Sequence, residues 1–222
     1  VGQDWTLGSG WSIAEDKAIS DGTSGNNVLQ QTIFSGSELG NYFKVQYEIL
    51  SYTSGTLLLR STGFHGAIAI DNSVGVHTLY LEATSTSTDL VFVTEAAGFI
   101  GSITNISVKE VGQNWVLDAN WSIAENKAVS DGSVNGFIRT STNLFESGKT
   151  YKVGMTVSNM TTGRITYPYD GGGGTYVYTN GDFSQTYYAD DTNRCWIYGS
   201  NGFDGSITNI SVIEITDDTN LP

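Results

Sequence analysis

The chain has 222 residues, of which 39% are hydrophobic and 12% aromatic, with 27 glycines and only 2 prolines. Its net charge of −13 excludes the basic stripe that nucleic acid requires and opposes attraction to an anionic membrane surface. One cysteine, Cys195, excludes an intrachain disulfide, and no apolar run has the length of a membrane-spanning helix.

Read from the start, the chain states nearly the same text twice. Trp5, Trp11-Ser12-Ile13 and Lys17-Ala18-Ile19-Ser20-Asp21-Gly22 return as Trp115, Trp121-Ser122-Ile123 and Lys127-Ala128-Val129-Ser130-Asp131-Gly132, 110 residues later. Each copy closes on Gly-Ser-Ile-Thr-Asn-Ile-Ser-Val, at Gly101–Val108 and Gly205–Val212, 104 residues apart. The second copy is therefore six residues shorter in its middle. A period this long marks a domain duplication rather than a solenoid. The expected division is 1–110 and 111–215, with 216–222 a linker to further chain. Val1-Gly2-Gln3 matches Val111-Gly112-Gln113, so Val1 is expected to end the closing strand of an earlier copy.

In copy one, short strands are expected at Trp5–Leu7, Trp11–Ile13, Lys17–Ile19 and Asn27–Phe34. Tyr42–Ile49 alternates most clearly, followed by Thr56–Arg60, Gly66–Ile70, His77–Ala83, Asp89–Thr94 and Gly101–Glu110. Copy two repeats the order at Phe137–Phe145, Tyr151–Val157, Arg164–Tyr169, Thr175–Tyr178, Gln185–Tyr188, Arg194–Tyr198 and Gly205–Ile215. Short strands with Gly/Asn/Asp/Ser turns about every ten residues predict an all-β chain of two tandem antiparallel β-sandwich, or jelly-roll, domains.

The Trp-x5-Trp-Ser-Ile start, the Lys-Ala-x-Ser-Asp-Gly turn, the Tyr-x-Val central strand of copy two and the closing Phe-x-Gly-Ser-Ile-Thr-Asn-Ile-Ser-Val-x-Glu resemble a jelly-roll module of bacteriophage tail and fibre proteins. That module is similar in outline to carbohydrate-binding modules of families 4 and 9 and to galactose-binding-like domains. The resemblance covers both copies. It implies non-catalytic binding of a polysaccharide or cell-surface glycan, on a virion tail or fibre or in a secreted protein. It also implies no membrane insertion, and an oligomer where the parent is a fibre. A spacer role, or an accessory domain of a secreted glycoside hydrolase, are its rivals.

Candidate binding residues come from an aromatic surplus in copy two: Tyr167, Tyr169, Tyr176, Tyr178, Tyr187, Tyr188, Trp196 and Tyr198. Sugar rings stack their C–H faces on such rings and hydrogen-bond to their polar tips. Arg164 and Asp170 add fork-like donors and acceptors. Aligned at the Thr-Gly turns, Leu59 corresponds to Tyr167; aligned at the closing Phe, Phe92 corresponds to Trp196 and Thr94 to Tyr198. Copy one offers the thinner set Tyr52, Arg60, Phe64 and His65. The tetraglycine Gly171–Gly174 lacks the helix and lysine of a phosphate loop and reads as a hairpin tip. The duplicated Trp pairs read as packing.

Metal ligands are few. His65 and His77 lie in unlike contexts, which disfavours zinc. Asp16, Asp21 and Glu110, with Asn126, Asp131 and Glu214 in copy two, are candidate ligands of a structural calcium, as related folds carry. No nucleophile–base order or carboxylate pair stands out, so no enzyme activity is expected.

Overall fold

In the computed structural model of the chain, the described residues are 2, 4–61, 66–169 and 173–216. They form strands only, and the chain divides into two units between Val111 and Gly112. Domain 1 has β1 (Thr6–Leu7), β2 (Trp11–Ala14), β3 (Lys17–Asp21), β4 (Val28–Thr32), β5 (Tyr42–Ser61), β6 (Gly66–Ala69), β7 (Gly75–Glu82) and β8 (Asp89–Val111). Domain 2 repeats them as β9 (Trp115–Leu117), β10 (Trp121–Ala124), β11 (Lys127–Asp131), β12 (Gly136–Thr140), β13 (Thr150–Tyr167), β14 (Thr175–Val177), β15 (Gly181–Tyr188) and β16 (Trp196–Ile215). Every pairing is antiparallel. The two domains are tandem jelly-roll-like β-sandwiches.

The sequence suggested two separate strands on either side of Ser51–Gly55, and two more on either side of Glu95–Gly98. The structure instead shows single long strands, β5 and β8, which stay paired through register shifts at Gln46/Glu48, Ile49/Ser51, Tyr52/Ser54 and Gly55/Leu57. Bulges bend a strand and add twist without ending its ladder. The first half of β5 and the second half of β8 lie with β7, β3 and β2. Their other halves lie with β6, β4 and β1. Each long strand thus serves both layers, and β13 and β16 do the same in domain 2.

The layers meet through alternate side chains. Val45, Tyr47 and Ile49 face Leu57, Leu59, Leu90 and Phe92 in one buried cluster, where the Tyr47 and Phe92 rings lie 5.9 Å apart edge to face. The duplicated Trp residues act here as expected of packing. Trp11 stacks on Phe99 at 6.3 Å and Trp121 on Phe203 at 5.6 Å.

The repeated phrases have local causes. Glu15-Asp16 and Glu125-Asn126 all have positive φ, the conformation of a two-residue type I′ hairpin turn. The closing-strand Thr104 hydroxyl donates to the Asp16 carbonyl at 2.8 Å, locking that hairpin to β8. Asn105 and Asn209, also at positive φ, hold the bulge, donating to Glu48 and Thr156 respectively. Asn tolerates this left-handed position better than other side-chain-bearing residues.

Gly55 and Gly163 sit at the bends with φ of +87° and +79°. A Cβ on Gly55 would overlap the Gly98 carbonyl, and one on Gly163 the Phe203 backbone. Gly163→Ala is therefore expected to cost more than about 2 kcal/mol. Urea unfolding should show this as an earlier transition, whereas Gly148→Ala, with open space around it, should lose less.

Candidate functional site

The register aligns the two domains strand by strand. Ala18 with Ile103 matches Ala128 with Ile207, and Val45 with Val108 matches Val153 with Val212. Leu29 with Phe92 matches Ile138 with Ile197, and Leu58 with Val93 matches Thr166 with Tyr198. The offset between copies falls by one at each connection, from 110 at β3 to 104 after the bend in β8. The last of these lost residues lies in the bend itself, where Glu95–Gly98 is replaced by the shorter Ser200–Gly202.

That step corrects the equivalences read from sequence. Phe92 corresponds to Ile197, not to Trp196, and both Phe92 and Ile197 are buried. Trp196 corresponds to Val91 and Tyr198 to Val93. A shift of one residue moves a side chain to the opposite face of its strand. Trp196 and Tyr198 therefore belong to the outer face, while Cys195 and Ile197 between them fill the core.

Four adjacent strands build this outer face in domain 2: β12, β16, β13 and β14. At ordinary interstrand spacing they span about 14 Å. Phe137 on β12 opposes Tyr198, and Arg139 opposes Trp196. Phe137 stacks on Tyr198 at 4.4 Å, meets Trp196 edge-on at 5.2 Å, and lies 5.2 Å from Tyr169. Tyr169 follows Pro168, where β13 has ended. Its N–H donates to the Trp196 carbonyl at 2.8 Å, which holds its ring 5.1 Å from Tyr198. All four rings are half-buried.

Two arginines frame the rings. Arg139 lies 5.0 Å over Trp196 and pairs with Asp118 at 3.2 Å. The other oxygen of Asp118 accepts the Phe137 N–H at 2.9 Å. Arg164 opposes Ser200, donates to its hydroxyl at 3.1 Å, and stacks 4.4 Å over Tyr176. It also reaches the Tyr178 hydroxyl at 3.4 Å. The hydrogen bond to that hydroxyl is the main cause holding the guanidinium above its usual range. Tyr176 and Tyr178 are 49% and 59% exposed, their rings 6.3 Å apart. Polar tips around half-buried rings and a planar cation suit a ligand with apolar faces and many hydroxyls.

The structure thus brings together Arg164, Tyr169, Tyr176, Tyr178, Trp196 and Tyr198. It places Tyr167 elsewhere. At 1% exposure Tyr167 points into the core beside Ile165, because it alternates with Thr166 along β13, and its equivalent Leu59 is buried too. Asp170, Gly171, Gly172, Phe64 and His65 lie outside the described residues. In domain 1, Tyr52 donates to Gly55 O at 3.1 Å and lies against Phe99, while Arg60 is exposed. Tyr187 packs on buried Phe145 at 4.8 Å in the other layer of domain 2. A strand, β14, follows Gly174.

Sequence reasoning missed Phe137, Arg139 and Asp118. Their signal was available in the comparison of β4 with β12, where Val28 becomes Phe137 and Gln30 becomes Arg139.

The candidate calcium ligands are not drawn together. Among the described residues, no group of three or more His, Cys, Asp or Glu forms a metal cluster. Asp16 lies in the turn before β3 and Asp21 at the far end of that strand. The Asp21 carboxylate accepts both the N–H and hydroxyl of Thr23, and Asp131 accepts the Ser133 N–H. These bonds hold both carboxyls below their usual range. Glu214 pairs with Lys149 at 3.1 Å. The Asp16 and Asn126 turn positions are explained by their positive φ.

A cavity of about 310 Å³ opens in domain 1 between Phe34, Phe43, Leu90 and Val108, with Glu38 and Glu110 among its lining. In domain 2 the equivalent Phe145 is buried against Tyr151 and Tyr187.

No protein family matches the sequence, and no curated protein matches it. By structure, the chain is similar to a secreted serine protease, VesC, from Vibrio cholerae. The identity is 12%, over 86% of this chain and 51% of that one, with a TM-score of 0.33. It is also similar to the triple jelly-roll turret protein of an archaeal virus. There the identity is 11%, over 96% of this chain and 59% of that one, with a TM-score of 0.24. The chain thus spans little more than half the length of either neighbour.

EDTA is expected to leave the melting temperature unchanged, because the described acids form no metal cluster and Asp21, Asp131 and Glu214 are already held by turns and Lys149. A drop of several degrees on chelation would support a structural metal. The buried Cys195 thiol, which burial pushes up to about 12, should resist thiol reagents at pH 8 until the domain unfolds. Its contribution is intact below the ordinary thiol value of 9.0. Above that the unfolded thiol ionises first, so native stability relative to Cys195→Ala should fall as pH rises from about 9 toward 12.

Proposed function

We propose that domain 2 binds a polysaccharide or cell-surface glycan without cleaving it. Pyranose rings stack on Phe137, Tyr169, Trp196 and Tyr198, and their hydroxyls meet Arg164, Tyr176 and Tyr178. The observation that carries this reading is the contrast between two copies of one frame. At the places of Phe137, Trp196, Tyr198, Arg164 and Tyr176, domain 1 has Val28, Val91, Val93, Thr56 and Ala69. Domain 1 forms the same strands without them, so the rings and the cation are not required by the fold.

Binding rather than hydrolysis is favoured because, among the described residues, the Asp118 carboxylate at the edge of this face is committed to Arg139 and the Phe137 N–H. A glycosidase needs two carboxylates flanking the scissile bond. Domain 1 serves as a spacer of matching architecture. The parent is a virion tail or fibre protein or a secreted protein, as the resemblance of the repeated phrases implies.

Affinity gel electrophoresis of the chain against a panel of polysaccharides tests the reading. Retardation by at least one polymer is expected, weakened about five- to tenfold by Trp196→Ala or Tyr198→Ala, in line with roughly 1 kcal/mol per ring contact. Tyr167→Ala should instead destabilise domain 2 by about 3 kcal/mol, as large-to-small core changes do. Unretarded migration in every gel would leave domain 2, like domain 1, as a spacer.

A further inference from the structure

Among the described residues, the sign of charge on the outer face of domain 2 is opposite to that of the chain. Lys and Arg together number 10 against 23 Asp and Glu, yet two arginines stand on this one face. Their domain 1 equivalents are the uncharged Gln30 and Thr56. The two arginines are not alike. Arg139 is neutralised by Asp118 at 3.2 Å and is pinned over Trp196. Arg164 has no carboxylate ion-pair partner among the described residues; its partners are the Ser200 and Tyr178 hydroxyls and the Tyr176 ring. Two of its five N–H donors are engaged, which leaves three without a protein acceptor among the described residues.

A guanidinium stays protonated at any pH at which a protein is folded. Held over a ring and bonded through Nε, Arg164 has lost much of its rotamer freedom before any ligand arrives. Its remaining N–H groups form a planar donor edge that fits a carboxylate in bidentate fashion. The net charge of −13 would repel an acidic polymer at long range, but at physiological salt that field fades over about 8 Å. A contact pair at hydrogen-bond distance is screened far less.

We infer that the ligand of this face is an acidic polysaccharide, with a uronic acid ring stacked beside Tyr198 and its carboxylate received by Arg164. This inference rests on the glycan-binding reading above and narrows it to a sugar class. Neutral glucans, mannans and galactans become weaker ligands, since their hydroxyls accept single neutral hydrogen bonds where a carboxylate accepts two charge-assisted ones.

The test uses the full chain with polygalacturonate, alginate and hyaluronan, each beside its carboxyl-reduced form, by affinity gel or titration calorimetry. Binding to at least one carboxylated polymer is expected, with a loss of tenfold or more on carboxyl reduction. Arg164→Gln should lose tenfold or more on the carboxylated polymer, whereas Lys109→Gln, which removes the same charge from an exposed position in domain 1, should lose nothing. Arg164→Lys, a point charge without the fork, should recover only part. A circular dichroism melt of Arg164→Gln that matches wild type excludes misfolding as the cause. Equal binding to a polymer and its reduced form, or binding to neutral polymers alone, would overturn the acidic assignment and leave glycan binding standing. Failure to bind any polymer, charged or neutral, would overturn both.

Discussion

Everything in each domain depends on a bend that only glycine permits. β5 and β8 run side by side for most of their length and pass together from one layer of the sandwich to the other. They remain hydrogen-bonded throughout, so the turn is made by bulges and by Gly55 at positive φ against the Gly98 carbonyl. Gly163 repeats this against Phe203. A side chain there would force the strands apart where both layers are joined, and the shared core would open. Side chains alternate along a strand, so the number of residues spent in the bend also decides which of them face inward beyond it.

That dependence explains what was legible in the sequence. The class of fold was, because alternation in Tyr42–Ile49 and regular turns survive any small error of alignment. The core role of Trp11 and Trp121 was legible too, since faithful duplication of a large ring is the mark of the frame. The merging of strands across Ser51–Gly55 was not, because Gly, Ser and Thr read as a loop whereas bulges keep such residues in a ladder. The facing of Trp196 and Tyr198 was not legible either. One residue is lost inside a bend that has no conserved landmark of its own, and the slip paired them with Phe92 and Thr94, which point inward. Tyr167 was misread for a related reason. Its place among tyrosines suggested a surface, while its parity with Ile165 puts it in the core.

The repeated polar residues answer to backbone geometry. Glu15-Asp16 and Glu125-Asn126 are shaped by a type I′ turn, Asp21 and Asp131 by the loops they cap. The Thr104 hydroxyl satisfies the hairpin carbonyl at Asp16. Of the acids that sequence offers as metal ligands, Asp21 and Asp131 are thus occupied by their turns and Glu214 by Lys149; in the closing Gly-Ser-Ile-Thr-Asn-Ile-Ser-Val, Ser102, Thr104 and Asn105 secure the hairpin and the bulges.

Where the copies differ most, the fold has least to say. Core positions change within narrow limits, Leu29 to Ile138 or Phe92 to Ile197, since an interior close-packed like a crystal tolerates little change in volume. The outer face of the same strands is held less tightly, and domain 1 leaves it with the half-buried Val28, Gln30, Val91 and Thr56 beside a buried Val93. Domain 2 fills it with four rings in mutual contact and two guanidinium groups. Mutual stacking recovers part of the cost of exposing such rings, about 0.5–1.5 kcal/mol per pair. It does not account for Tyr176 and Tyr178, which stay half exposed at the far edge, nor for a cation fixed between them with donors to spare. These residues neither fill the core nor shape a turn, and a matching domain folds without them, which is the ground on which the proposal of a ligand rests.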